Sequence, residues 1–336
     1  MANYRYTDKK TIIADYLMAG QTGLKWHSTD SKEAYLKNVS KLDPIYLNKT
    51  IKYNFNSQGY RTAELSTYND DQFLLAMGCS YTSGVGLAQE DIWCEVLGRH
   101  LDLPVMNLGA EGTGLDFVYA NSLLYINGDY PKPKMVVIQH SQASRKLQVN
   151  YHNHDTGPAI EVNIGYKELD NPEEYMTQLN RQGDYTNLFW LGIYTDQITK
   201  IWNSIGVPVL HWTFPQDGEN HFSDYAVSVL PDNHPNTWGE DYDINKIRNI
   251  TARDYTHDGI ERHQYVADTL KLMADDLLAS GKLNQPCTEV QISHADYDHT
   301  VLPNSGPINN PTVTDPEQIA KQQLLSDRKR SNIIYN

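Results

Sequence analysis

Two short stretches hold residue types whose spacing suits nucleophilic chemistry. In FLLAMGCSYTSGVG (73–86) an apolar run stops at Gly78 and delivers Ser80 into a small, polar stretch bounded by Gly84 and Gly86. In ARDYTHDGIERHQYVAD (252–268) Asp254 and His257 stand three residues apart, just ahead of a helical pattern. A serine hydroxyl needs a base within hydrogen-bond reach, and the base needs a group that fixes its tautomer. The DxxH spacing lets one short loop set a carboxylate beside an imidazole, leaving the other ring nitrogen to face a serine. Taken alone, each stretch has a plainer reading, with Ser80 as a turn residue or helix cap and Asp254 as a turn cap.

A phosphate cradle is the other use of a glycine-bounded loop after a strand. The P-loop pattern GxxxxGK[ST] is absent, since no lysine lies between Gly78 and Gly86. The run GAEGTG at 109–114 has its glycines in the wrong order for the dinucleotide fingerprint GxGxxG, and it follows the second strand rather than the first.

The elements around these stretches alternate. Short apolar runs at 73–78, 104–109, 135–140 and 207–214 read as strands, and helical spacing over 91–101, 115–126, 187–206 and 260–281 reads as helices. Apolar, non-alternating strands separated by helices predict a parallel sheet covered on both faces. Ligands of such sheets sit beyond the carboxyl ends of the strands. Ser80, Gly109 with Gly112, and Ser141 follow three of those ends, so three loops converge on one rim. The segment TDKKTIIADYLMAG (7–20) reads as a short helix stopped by Gly20. Residues 1–70 form an N-terminal extension on a core of 71–284, a polar insertion spans 145–185, and 285–336 is an extended tail.

Composition narrows the function. A net charge of −14 repels a phosphate backbone, so no nucleic-acid partner is expected. No basic amphipathic segment suggests a membrane surface, and no apolar stretch is long enough to span a bilayer. Three cysteines, Cys79, Cys94 and Cys287, match neither a zinc ribbon nor a disulfide framework. Without a signal-peptide pattern the expected location is cytoplasmic, or a virion if the chain is phage-encoded.

Taken in order along the chain, these stretches resemble the blocks of the SGNH (GDSL-type) hydrolases. GCSYTSG (78–84) is similar to GDSxTxG, and Asp91, Ile92, Trp93 and Leu97 to a following D-t-W-p-x-x-L. NLGAEG (107–112) matches an Asn-x-Gly-x-x-Gly block, and Asp254–His257 the closing DxxH. NSQGYR (56–61) resembles an NxxGxR element of some branches. The resemblance covers roughly residues 50–280. It implies a flavodoxin-like three-layer α/β/α fold, with Ser80 as nucleophile, His257 as base and Asp254 as orienter. The N–H groups of Ser80 and Gly112 would form part of an oxyanion hole. It further implies ester hydrolysis through an acyl-serine, without metal or organic cofactor. An acetyl ester on a carbohydrate is a common substrate, as are lipid and thioester acyl groups. This branch resembles bacterial and phage proteins.

Two departures stand out. Cys79 replaces the Asp of GDS, and the GxND block is absent, with QHSQASR (139–145) in its place. Ser141 or Gln142 is then the expected substitute donor to the oxyanion. Loss of one such donor typically costs on the order of 10²–10³ in rate. That loss and the long tail motivate the alternative of a weakly active or inactive binding or structural module, including a virion component.

Other candidates have plainer readings. His152, His154 and Asp155 have metal-compatible spacing but no signposted further ligand, and read as a polar surface. His263, six residues past His257, reads as a packed or capping histidine. The tail 285–336 carries prolines at 286, 303, 307, 311 and 316 and few large apolar residues, so it cannot fold alone. It is expected to lie across the domain or a neighbouring subunit, serving oligomer or virion assembly. Truncation after Leu283 should leave the near-UV circular dichroism of the core intact while altering assembly or solubility. Loss of that signal would make the tail part of the core.

Overall fold

The computed structural model describes residues 4–6, 10–141, 145, 147–154, 157–164, 189–213, 226–228 and 251–280. All of them fall within one compact unit, Met1–Val290. The expectations for the tail, 285–336, lie outside the described residues.

Five strands form the central sheet: β3 (Leu74–Gly78), β4 (Val105–Gly109), β5 (Met135–Gln139), β8 (Val209–Thr213) and β9 (Ala226–Ser228). Their spatial order is β4-β3-β5-β8-β9, and every neighbouring pair is parallel. Ranked by position in the chain this is 2-1-3-4-5, the flavodoxin-like order, with its crevice at the carboxyl ends of the first and third strands. Ser80 follows the first of these, β3, directly.

The strands are buried on both faces, which is why they read as continuous apolar runs. Leu74, Ala76, Met135, Val137 and Leu210 face one layer, built from α4 (Trp93–Leu101) and α7 (Ile260–Ser280). Leu75, Met77, Met106, Val136 and Val209 face the other, built from α5 (Leu115–Asn127) and α6 (189–203). Val266, Leu270, Ala274 and Leu277 are the buried stripe of α7, at the helical spacing seen in the sequence. The chain thus has the three-layer α/β/α architecture that the alternation predicts.

Two expectations need correction or extension. Residues 10–20 are not helical. The Ile12 N–H donates to Tyr130 Oη at 3.1 Å and the Ile13 N–H to Asn121 Oδ1 at 2.8 Å, so side chains from and just beyond α5 take backbone donors that a helix would need. Ile12 and Ile13 are both buried. The insertion contains a hairpin, β6 (Leu147–His154) and β7 (Gly157–Ile164). Its signal was present, since Leu147, Val149 and Tyr151, then Ile160, Val162 and Ile164, alternate with polar residues. This hairpin joins β1 (Tyr4–Tyr6) and β2 (Ala14–Asp15) in a second, antiparallel sheet of order β2-β1-β7-β6. His152 and His154 fall two apart on β6, and Asp155 lies outside the described residues. Among the described residues no helix is long and apolar enough to cross a membrane.

Three histidines are buried in this framework. His140 Nε2, one residue past β5, and His211 Nδ1, in the middle of β8, are 2.9 Å apart, and His211 Nε2 meets Thr199 Oγ1 at 2.9 Å. His263 Nδ1 accepts the Trp93 N–H at the start of α4 at 2.9 Å, and its ring stacks on Tyr81. His263 is therefore the capping residue that the sequence suggested. Burial lowers all three, His140 to about 4, with His140 also lowering His211 and the charges of His257 and Arg262 also lowering His263. Because each folded value lies below the unfolded one near 6.5, the unfolded chain takes up protons that the folded chain refuses once the pH falls below about 6.5. Stability should therefore fall between pH 6.5 and 4, at up to about 1.4 kcal/mol per group per pH unit. Urea midpoints measured at pH 7.5, 6 and 5 check this; a flat series would contradict it.

Candidate active site

The β3 strand ends at Gly78, and Ser80 opens the one-turn helix α3 (Ser80–Ser83). As the first helical residue, Ser80 has no intrahelical acceptor for its N–H. A side chain at Gly78 would meet Thr82 Oγ1 at 2.3 Å and Gln139 Cβ at 2.8 Å, so the turn into α3 tolerates no Cβ there. Gln139, the last residue of β5, explains that closeness. Its Oε1 accepts from the Cys79 N–H at 3.1 Å, Cys79 Sγ at 3.1 Å and Thr82 Oγ1 at 3.3 Å. Its Nε2 donates to the His140 carbonyl at 2.6 Å. Cys79 thus serves as a weak donor that pins the loop to the neighbouring strand.

The loop after α3 is held from below. Arg61, 1% exposed, donates to the carbonyls of Ser83 at 3.3 Å, Gly84 at 2.6 Å, Leu87 at 2.8 Å and Lys52 at 3.2 Å. Its guanidinium lies 4.4 Å from the Tyr53 ring centroid. The NSQGYR stretch is therefore a structural device: Asn56 Oδ1 accepts the N–H groups of Gln58 and Tyr60, both at 3.0 Å, and this turn presents Arg61. Asn107 in NLGAEG does similar work, donating to the Thr82 carbonyl at 2.7 Å and accepting the Gly109 N–H at 2.9 Å.

The DxxH loop is an Asx-type turn. Asp254 Oδ1 accepts the N–H groups of Thr256 and His257, each at 3.1 Å, which fixes the three-residue spacing. The Ala252 N–H donates to the His257 carbonyl at 2.8 Å and closes the loop. Gly86, at φ +81°, lets the loop that follows Ser80 pass close by, since a Cβ there would meet Ala252 Cβ at 2.8 Å and Asp254 Oδ1 at 3.0 Å.

These two loops bring three side chains into line. Ser80 Oγ lies 2.8 Å from His257 Nε2, and His257 Nδ1 lies 2.6 Å from Asp254 Oδ2. The ionised carboxylate only accepts, so Nδ1 carries the proton and Nε2 is the acceptor for the Ser80 hydroxyl. Burial pushes Asp254 up, but the hydrogen bond and charge of His257, with Thr29 and the His257 N–H, bring it below its ordinary value. Burial pulls His257 down, yet the bond to and charge of Asp254, then Glu111 and Asp258, raise it overall.

The remaining sequence candidates behave differently. Gly112 sits in the β4–α5 loop at φ +72°. Ser141 donates its hydroxyl to the Thr113 carbonyl at 2.7 Å, which commits its single O–H proton to bracing that loop. Gln142 lies outside the described residues. Sequence reasoning missed Gln139, Arg253 and Glu111 although each adjoins or lies within a quoted motif. It also missed His27 and Thr29, for which no motif gives a signal.

No family model matches the chain, and no curated protein does. Solved structures do. One is a lipolytic protein of the G-D-S-L family from Desulfitobacterium hafniense DCB-2, at 13% identity and TM-score 0.36, covering 60% of this chain and 98% of that one. Another is the acetyl xylan esterase Est2A from the rumen bacterium Butyrivibrio proteoclasticus, at 11% identity and TM-score 0.33, over 63% of this chain and 65% of that one. A third is a family two carbohydrate esterase from Cellvibrio japonicus, at 12% identity and TM-score 0.31, over 63% of each chain. The strand order and the two helical layers give this chain a flavodoxin-like three-layer α/β/α fold.

Arg61 is the side chain on which the Ser80 loop leans most. Arg61→Met should lower stability by at least about 2–3 kcal/mol, because several buried carbonyls lose their donor. Arg61→Lys should recover only part of this, since one ammonium cannot reproduce the planar fork. Denaturant titration of both variants is the check; wild-type stability in Arg61→Met would refute the clamp.

Proposed function

We propose that the protein is a serine esterase of the SGNH type, with Ser80 as nucleophile, His257 as general base and Asp254 as the group that orients it. The observation that supports this most is the unbroken Ser80–His257–Asp254 hydrogen-bond chain at the carboxyl rim of the sheet. In the proposed reaction Ser80 Oγ attacks the ester carbonyl while its proton passes to His257 Nε2. The imidazolium so formed is stabilised by Asp254. The N–H of Ser80, at the start of α3, and that of Gly112 are proposed donors to the developing oxyanion. Collapse expels the alcohol, which takes the proton from His257. Water, deprotonated by the same imidazole, then releases the acid and restores Ser80.

The chemistry uses no metal or organic cofactor. For the substrate we propose a small acyl ester, with an acetyl ester of a carbohydrate tested first among the classes that the motif resemblance leaves open.

Ser80→Ala should reduce turnover of p-nitrophenyl acetate by at least about 10³-fold while leaving the melting temperature nearly unchanged. A fluorophosphonate probe should label Ser80 in the wild type and nothing in the variant. Full turnover in Ser80→Ala would end the assignment. Because the base must be neutral and its folded value is raised, the acid limb of kcat/KM should lie above the ordinary histidine value of about 6.5. Comparing acetyl and long-chain nitrophenyl esters with acetylated xylo-oligosaccharides tests the substrate class.

A further inference from the structure

The Ser80–His257–Asp254 chain is built from two loops of the sheet, and a third stretch touches its surroundings on both sides. Residues 27–30 form a tight hairpin: the His27 N–H donates to the Asp30 carbonyl at 2.9 Å and the Asp30 N–H to the His27 carbonyl at 3.0 Å. Ser28 turns the corner at φ +56°. Each of the four side chains bonds a residue from elsewhere in the chain. His27 Nε2 pairs with Glu111 in the β4–α5 loop, and Ser28 bonds the same carboxylate. Thr29 Oγ1 donates to Asp254 Oδ2 at 2.7 Å, the oxygen that also takes His257 Nδ1. Asp30, fully buried, receives Arg253 Nε at 2.9 Å and Nη2 at 2.6 Å. Arg253 in turn lies over the Trp26 ring, 4.3 Å from its centroid.

We propose, resting on the esterase reading above, that the His27–Asp30 hairpin is a positioning element of the active site. Thr29 fixes the Asp254 carboxylate against His257, and His27 with Ser28 holds Glu111 as a second negative charge beside the imidazole. The geometry assigns opposite electrostatic effects to the two contacts. Thr29 disperses charge on Asp254 Oδ2, so removing its hydroxyl leaves His257 as the only donor to that oxygen and favours the imidazolium. Glu111 adds negative charge near the ring, so neutralising it disfavours the imidazolium. Asp254 and Asp258 face His257 from its own loop, and Glu111 faces it from the β4–α5 loop, with His27 beyond. Arg253 stands behind, next to Asp254 and paired with Asp30. Arg262, which pairs with Asp258, and His263, the neutral capping histidine, come from α7.

The test follows the rate of Ser80 labelling by a fluorophosphonate against pH, using the full chain, since this reads the state of His257 without needing the natural substrate. Thr29→Val keeps the shape and removes the donor; its acid limb should move up by about 0.5 pH unit, and Thr29→Ser should restore the wild-type limb. Glu111→Gln should move the limb down by a similar amount. A brace that only holds the fold would lower the melting temperature and leave both limbs in place. Coincident limbs in wild type and Thr29→Val, or a Thr29→Ser limb shifted like that of Thr29→Val, overturn the inference. Should Thr29→Val fail to fold, Glu111→Gln decides alone, and a limb that does not fall overturns it. Wild-type protein that never labels at Ser80 defeats the esterase reading itself, whereas labelling with unmoved limbs defeats only the role of the hairpin.

Discussion

A buried carboxylate must have every lone pair answered, and Asp254 organises its surroundings around that demand. Its side chain is fully buried. Two backbone N–H groups, a threonine hydroxyl and an imidazole N–H converge on its two oxygens. Leaving any one unmade would cost roughly 1–3 kcal/mol of desolvation without return. The loop 251–258 takes its shape from the two backbone bonds, and that shape sends the far side of the His257 ring toward Ser80. The Arg253 N–H donates to the Gly86 carbonyl at 3.1 Å, so the same loop is tied to the segment that follows α3.

On the Ser80 side the constraint is steric rather than electrostatic. The tight turn from β3 into the one-turn helix α3 is possible only because Gly78 carries no side chain, and Gln139, at the end of the neighbouring β5, holds that turn with hydrogen bonds to both Cys79 and Thr82. Arg61 and Asn107 then hold the carbonyls of Thr82 to Leu87 from the opposite side. The peptides on either side of Ser80 are thus held largely by buried polar side chains, a dense network that acts as a unit.

Much of this arrangement was legible in the sequence. The strands at 74–78, 105–109 and 135–139 are apolar on both faces, and such runs have few other uses in a chain with intervening helices. The serine, aspartate and histidine were visible because their chemistry requires fixed local company: a glycine-ended strand for one, a three-residue turn for the others. What could not be read is what arrives from far along the chain. Thr29 and His27 lie in an undistinguished polar stretch, and nothing local marks a threonine whose partner is 225 residues away. Residues 10–20 misled for the same reason: their spacing suits a helix, but tertiary donors and acceptors from α5 and Tyr130 outweigh a weak local preference. The β6–β7 hairpin was hidden by its polarity, although its alternation was there to be counted.

The long reach of the contact between Thr29 and Asp254 also governs when the site can come into being. Ser80 and His257 are separated by 177 residues, so a ribosome adding about 5–20 residues per second needs roughly 9–35 s between making the one and making the other. Throughout that interval the nascent chain carries Ser80 without its histidine partner. The early strands β3, β4 and β5 can pair meanwhile, as neighbours in the sheet, but the face against which α7 packs stays open. The helix α4 waits there with its buried face uncovered. The Ser80–His257–Asp254 chain is thus among the last features to assemble, and a polypeptide interrupted before residue 257 lacks it however well its early strands have paired.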